Sequence, residues 1–281
     1  MSDITRLEVR QLYRYTYSAP IENVRQRLVM VPPDAHLDQR LISFALNVRG
    51  GHRWQLDWHV DTFGNRVCEV LVPDVQHTLE FEAHYVVDRT SARIRLRTPN
   101  ALSTDEYLKS TTLTAADDRL NEAACAIRRQ SNDPTARAEA AHDWVARAIT
   151  YQVGATGVHT PAAAALQLGR GVCQDFAHLL LCVLRLVDVP ARYVSGQLPG
   201  EGVPHAWVEA VIGRNVVAYD PTHHRRARQD YVTVAVGRDY SDVAPTSGTF
   251  FGSATSKLTA SKHARIVPTW RTNLVAEHAA A

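Results

Sequence analysis

The sequence has no run approaching the roughly 18 consecutive apolar residues of a membrane-spanning helix. Its first residues, MSDITRLEVRQLYRY, carry no apolar stretch followed by a small-residue cleavage site, so no secretory signal is read there. The expectation is a cytoplasmic protein without membrane contact. Cysteine is scarce: Cys68, Cys125, Cys173 and Cys182 are the four. They show no CxxC spacing and none of the density of a small stapled domain, which argues against a disulfide framework and a cysteine-ligated zinc site. Reduced thiols are expected. Charge of one sign is also missing. The formal net charge is +2, with basic residues scattered apart from HHRRAR at His223 to Arg228, so there is no electrostatic footprint for nucleic acid. That cluster reads as a solvated loop. His223 and His224 lack partners at metal-ligand spacing, and neither a metal nor an organic cofactor is implied. No internal repeat or low-complexity tract is present.

What is there is ordinary globular composition: 281 residues, 45% apolar and 21% charged. The length allows one large domain or two moderate ones, with a full hydrophobic core. Residues 1–98 alternate at period two. Leu7, Val9, Tyr13, Tyr15 and Tyr17 face one way, as do Leu79, Phe81, Ala83, Tyr85 and Val87. DTFGN, Asp61 to Asn65, sits as a turn between two such runs. An antiparallel β-domain, a sandwich or open barrel, is expected.

Residues 99–281 begin with helical periodicity. In NDPTARAEAAHDWVARAIT, Asp133 is placed as N-cap and Pro134 at the first helical position. A helix is read before it in TLTAADDRLNEAACAIRRQ, and a short one after it, ended by Gly169. The next helix opens at Cys173, and its Phe176, Leu179, Leu180, Leu181, Val183 and Leu184 wrap most of its circumference, so it should be buried on several sides. After Pro190 the period returns to two in ARYVSGQL, HAWVEAVI, NVVAYD and YVTVAV, while APTSGTFFGSATSK reads as loop. Helices followed by strands give an α+β class, helices on an antiparallel sheet.

Cys173 follows two glycines at a helix start, where the dipole and free N–H groups favour a thiolate. A buried small residue is the competing reading, and Cys182 is taken as plain core. HAWVEAVIGRNVVAYDPT reads as a hairpin turning at Gly213 and Arg214. His205 then lies opposite Thr222 and diagonal to Asp220 on one face, about 7 to 8 Å away across the strands, within reach of an imidazole and a carboxylate. A one-residue slip would put them on opposite faces. Nucleophile, base and orienting acid in the order Cys173, His205, Asp220 is the role set of acyl transfer.

GVCQDFAHLLLCVLRLVDVPARYVSG, HAWVEAVI, YDPT and VGRDYSDVAPTSGTFFG together resemble the core of the bacterial transglutaminase-like superfamily, relatives of animal transglutaminases and, more remotely, papain-fold cysteine proteases. The first third resembles the β-rich domain that often precedes this core in bacteria. The resemblance implies a papain-like core with catalytic Cys173, His205 and Asp220, and an oxyanion hole including the Cys173 N–H. It implies acyl transfer on an amide or peptide bond through a thioester, expected to be hydrolytic, since nothing resembles the extra domains or calcium sites of the animal crosslinking enzymes. Transfer to an amine, as in a protein-glutamine gamma-glutamyltransferase, is one alternative; a non-catalytic binding module is another. The expected partner is a protein or peptide substrate.

Other residues divide between chemistry and plain structure. Trp207, on the His205 face of its strand, is expected to wall the substrate cleft, with core filling the competing reading. Arg238 and Tyr240 are assigned to substrate binding, whereas Asp239 and Asp242 read as turn residues. Asp175 caps its helix, His178 lies about 140° from Cys173 around the helix and serves a helix–sheet contact, and Glu209 is surface or an arginine's partner. Gln174 is too local to serve as a second oxyanion donor.

Overall fold

The computed structural model describes residues 4–90 and 104–269. The expected 98/99 boundary lies outside the described residues. The N-terminal third contributes β1 (Ile4–Tyr17), β2 (Ile21–Leu28), β3 (Ala35–His36), β4 (Gln39–Arg49), β5 (Gln55–Val60), β6 (Arg66–Val75) and β7 (Thr78–Thr90). The apolar alternation places Leu7, Val9, Phe81, Tyr85 and Val87 on an inner face, where they meet Val24, Leu28, Val70 and Val72 of a second sheet. The result is a sandwich. Asp61 makes the β5–β6 turn by accepting the N–H groups of Phe63 and Asn65.

The second half runs α1 (Asp118–Gln130), α2 (Pro134–Ala148), β8 (Thr150–Tyr151), α3 (Ala162–Leu168), β9 (Arg170–Gly171) and α4 (Cys173–Leu186). It continues through β10 (Ala191–Gln197), β11 (His205–Ile212), β12 (Asn215–Asp220), β13 (Arg225–Arg226), β14 (Val232–Gly237) and α5 (Tyr240–Val243). Asp117 and Asp133 cap α1 and α2 through their side chains, Pro134 opens α2, and Gly169 ends α3 in the left-handed conformation. The antiparallel sheet β13-β12-β11-β10-β14 carries α4 on one face. Leu179, Leu180, Val183 and Leu184 are fully buried there, so the helix is the hydrophobic axle of the core.

The chain does not divide in simple sequence order. Two last strands, β15 (Thr246–Phe251) and β16 (Ser256–Val267), leave the core and complete the N-terminal sandwich. β15 pairs with β2, and β16 pairs with β1 from Arg6↔Val267 to Tyr17↔Ser256. The stretch read as loop is therefore largely strand. Its polar composition hid it: β16 is an edge strand with only Ala264 and Val267 buried.

Side chains of the sandwich also cross to the core sheet. Gln39 donates to Thr233 O at 2.7 Å and accepts from Thr233 N at 2.9 Å; Asn65 does the same for Val236, at 2.8 Å each way. Two buried amides thus stand in for a neighbouring strand along the free edge of β14.

Candidate active site

The chain enters α4 through a tight construction around Asp175. The Asp175 carboxylate accepts the Val172 N–H at 2.7 Å and the Thr156 hydroxyl at 2.6 Å, closing the first turn. It presses against Gly171, where an added Cβ would lie 2.6 Å from Asp175 Oδ2. Glycine is required there for the carboxylate to reach back. Burial raises the Asp175 carboxyl despite these bonds. Cys173 is thereby held at the first helical position, half-buried, with its N–H lacking an intrahelical acceptor by its place in the helix.

The hairpin turns as read. Ile212 pairs with Asn215 and Val208 with Tyr219, which puts His205 and Asp220 on one face. His205 Nε2 lies 2.8 Å from Asp220 Oδ2. The other ring nitrogen, Nδ1, faces Glu201 Oε2 at 3.4 Å, and Cys173 is a hydrogen-bond partner of the same ring. Burial by itself would lower the imidazolium of His205, but hydrogen bonds with Asp220 and Cys173 outweigh it and raise it to about 10. Asp220 is fully buried, which opposes its ionisation, yet bonds from His205, Tyr231 and His223 hold it well below the usual carboxylate range. Tyr231 donates at 2.6 Å, and the N–H groups of Thr222 and His223 satisfy the other oxygen at 3.0 and 3.2 Å. The three residues read from the sequence therefore meet.

The residues assigned to substrate binding fare differently. Trp207 is only 1% exposed, which corrects its assignment to the cleft wall. Its indole runs near-parallel to the His205 ring and offset from it, centroids 6.2 Å apart at 27°, and meets Tyr231 edge-on. It packs where Gly196 leaves space: a Cβ on Gly196 would come within 2.3 Å of the indole. Arg238 is likewise no free cleft residue, since its guanidinium is paired with Asp242 at 3.0 and 3.1 Å and covers Phe63. Tyr240 is half-buried and, like Cys173, borders the α4 core cluster; it meets Tyr193 edge-on and donates its backbone N–H to His178 Nε2. His178 is the expected helix–sheet contact, tilted on Tyr193 of β10, with burial lowering it to about 4. Cys182 is core, its thiol pushed up by burial to about 12. Gln174 donates its amide to Val158 O at 3.1 Å.

Four further residues border the site. Glu201, in the loop before β11, reaches His205 Nδ1 at 3.4 Å and His223 Nε2 at 3.3 Å. Tyr151 of β8 and Lys262 of β16 both feel the charges of Cys173 and Glu201. Burial lowers the Lys262 ammonium to about 8, and it donates to Leu198 O at 3.3 Å. Glu201, four residues before His205, and His223, three after Asp220, had a local signal in their spacing. Lys262, 89 positions beyond Cys173 by residue number, had none. The His223–Arg228 cluster is not a free loop: Arg225 and Arg226 form β13, with Arg226 paired to Glu139 and Arg225 to the Tyr231 hydroxyl.

Residues 121–221 match the transglutaminase-like superfamily and residues 7–88 the bacterial transglutaminase-like N-terminal region. The chain thus carries a transglutaminase-like core preceded by a bacterial transglutaminase-like N-terminal region. A solved structure of a candidate cysteine protease from Cytophaga hutchinsonii shares the fold of this transglutaminase-like chain. It covers 95% of this chain and 92% of its own, at 21% identity and a TM-score of 0.79. Among curated relatives, uncharacterized protein ML0607 of Mycobacterium leprae is 40% identical over 55% of this chain. Uncharacterized protein Rv2569c of Mycobacterium tuberculosis is 32% identical over 39% of it. The chain spans 58% and 40% of the length of these two relatives. No helix among the described residues is long and apolar enough to cross a membrane.

Proposed function

We propose that this transglutaminase-like chain is a cysteine-dependent acyl-transfer enzyme that hydrolyses an amide bond in a peptide or protein. The observation that carries this reading is the relay from half-buried Cys173 through His205 to buried Asp220, with the 2.8 Å contact fixing the imidazole. His205, held as an imidazolium, carries the proton taken from Cys173, and the thiolate sulfur attacks the amide carbonyl, forming a C–S bond. The Cys173 N–H stabilises the developing oxyanion, a contribution of about 3 to 4 kcal/mol per donor in comparable sites. Collapse breaks the C–N bond, His205 returns the proton to the departing amine, and a thioester remains. Water, deprotonated by His205, then attacks the thioester; the acid leaves and Cys173 recovers its proton.

In this reading Tyr240, Tyr151 and Lys262 border the substrate path. The free thiols of Cys68, Cys125, Cys173 and Cys182 favour a reducing, cytoplasmic setting. The test is mass spectrometry with electrophilic peptide amides, alongside Cys173→Ala and with lysine-like amines competing against water. A Cys173 adduct with hydrolysed product is expected; amine-coupled product would instead establish transfer. No adduct, together with an iodoacetamide rate at Cys173 no faster than at exposed Cys125, would make the chain a binding module.

A further inference from the structure

Asp220 orients two imidazoles at once. His205 presents Nε2 to Asp220 Oδ2 at 2.8 Å, and His223 presents Nδ1 to the same oxygen at 2.7 Å. The opposite nitrogens, His205 Nδ1 and His223 Nε2, therefore point to a common space that Glu201 closes. A carboxylate behind a histidine, fixing its tautomer and ring, is the usual outer support of a metal-ligating imidazole. Here one carboxylate supports two.

The separations, those of loose ion pairs, also suit a ligand set. Glu201 oxygens stand 3.4 Å from His205 Nδ1 and 3.3 Å from His223 Nε2, longer than a well-made hydrogen bond of roughly 2.7 to 3.2 Å. Donors about 2.1 Å from a tetrahedral zinc ion lie about 3.4 Å from one another. All three ligand atoms fall within 4.8 Å of one another. Glu201 and Asp220 supply two negative charges against a dication. His205 is buried, but Glu201 and His223 are 28% and 37% exposed in their side chains, so an ion can enter from the rim.

We infer that Glu201, His205 and His223 form a binding site for a divalent transition-metal ion of the zinc class, and that its occupation takes His205 away from Cys173. Two imidazoles and one carboxylate select zinc over magnesium or calcium, which prefer oxygen. Binding of the ion rests on this geometry alone; its effect, reversible shut-down of the thiol, rests on the function proposed above. The metal replaces the proton at His205 Nδ1, which is released to solvent, so ligation and proton exchange with Cys173 exclude each other at that nitrogen.

The test is titration of the chelator-stripped, full-length protein with zinc sulfate against a chromophoric competitor, which reads binding without any activity. One zinc per chain is expected. Glu201→Gln and His223→Ala should each weaken it by at least about tenfold, and Asp220→Asn by about 10- to 100-fold. Circular dichroism checks that the variants fold, and Glu201→Gln, a change in a partly exposed loop, guards against loss by unfolding. Cys173→Ala should keep its zinc, because sulfur is outside the ligand set. His224→Ala, which alters the separate His142, Asp143 and His224 cluster, should keep this site as well. Zinc at saturation should slow iodoacetamide labelling of Cys173 at least about tenfold, and Glu201→Gln should relieve that protection. Binding that is absent at 100-fold excess over roughly micromolar protein, insensitive to Glu201→Gln, or lost in Cys173→Ala or His224→Ala overturns the site. Zinc bound with undiminished Cys173 labelling keeps the site and overturns its effect on the thiol.

Discussion

Asp220 is where structure and chemistry are hardest to separate. It is fully buried and ionised, and its cost of desolvation is offset by His205, His223, Tyr231 and two backbone N–H groups. Replacement by asparagine keeps the size but removes the charge and brings two amide hydrogens against N–H donors. Asp220→Asn is expected to lower turnover of any peptide amide the enzyme accepts by up to about 10⁴-fold, the scale seen when a triad acid loses its charge. A measured loss under tenfold would remove Asp220 from the relay. Gly196 makes a subtler point, since its lack of a side chain lets Trp207 lie beneath His205. Gly196→Ala should cost roughly 1 to 3 kcal/mol in stability by overpacking, read as a lower thermal midpoint. It should also slow Cys173 alkylation, because the displaced indole moves the histidine.

Among elements, β14 and β16 show how the two halves depend on each other. The free edge of β14 is satisfied by Gln39 and Asn65 from the sandwich. Asn65→Ala leaves the N–H and C=O of Val236 without those partners, and a loss of about 1 to 3 kcal/mol is expected in denaturant unfolding. A second link joins β3 to the core sheet. Glu209 of β11 is held between Arg192 and His36, at 2.6 and 3.0 Å. Burial alone would raise the Glu209 carboxyl, but Arg192 and His36 hold it down to about 2 from its usual 4.5. Its folded pKa lies below its unfolded value, so this contribution is complete above about 4.5 and is lost as pH falls toward 2. Wild-type stability should drop through that window. Glu209→Gln, which strands buried Arg192, should be less stable at pH 7, and its deficit should shrink as the medium is acidified.

Across the whole molecule, the return of β15 and β16 makes the sandwich discontinuous in sequence. Residues 1–98 alone would leave β1 and β2 with the open edges that β16 and β15 cover. That fragment is expected to aggregate on expression, while the same fragment carrying residues 244–269 through a flexible linker should be soluble. A soluble, monomeric 1–98 would show that the C-terminal strands are dispensable. The same return carries Lys262 to the rim of the Cys173 site, giving the sandwich a direct part in its electrostatics.

Whatever depends on short-range order was legible in the order of the residues alone. Period-two alternation from Leu7 to Val87 specified inner and outer faces, because a strand slipped by one residue would bury its polar set. The Gly213–Arg214 turn specified the hairpin register, and the register carried His205 to Asp220. Asp133, Pro134 and Gly169 marked their helix ends for local backbone reasons. What arises from long-range pairing emerged with the folded chain. β16 is a strand because β1 offers it partners, and its largely exposed, polar run leaves no periodic trace. Trp207 looked like a cleft wall from its face of the strand, but the space beside Gly196 made it buried support. His223 has no partner at metal-ligand spacing in the sequence, and its neighbours Glu201 and His205 are gathered only by the fold of a loop and a hairpin. Side-chain direction is a local property; which cavity that direction opens into is set by everything packed around it.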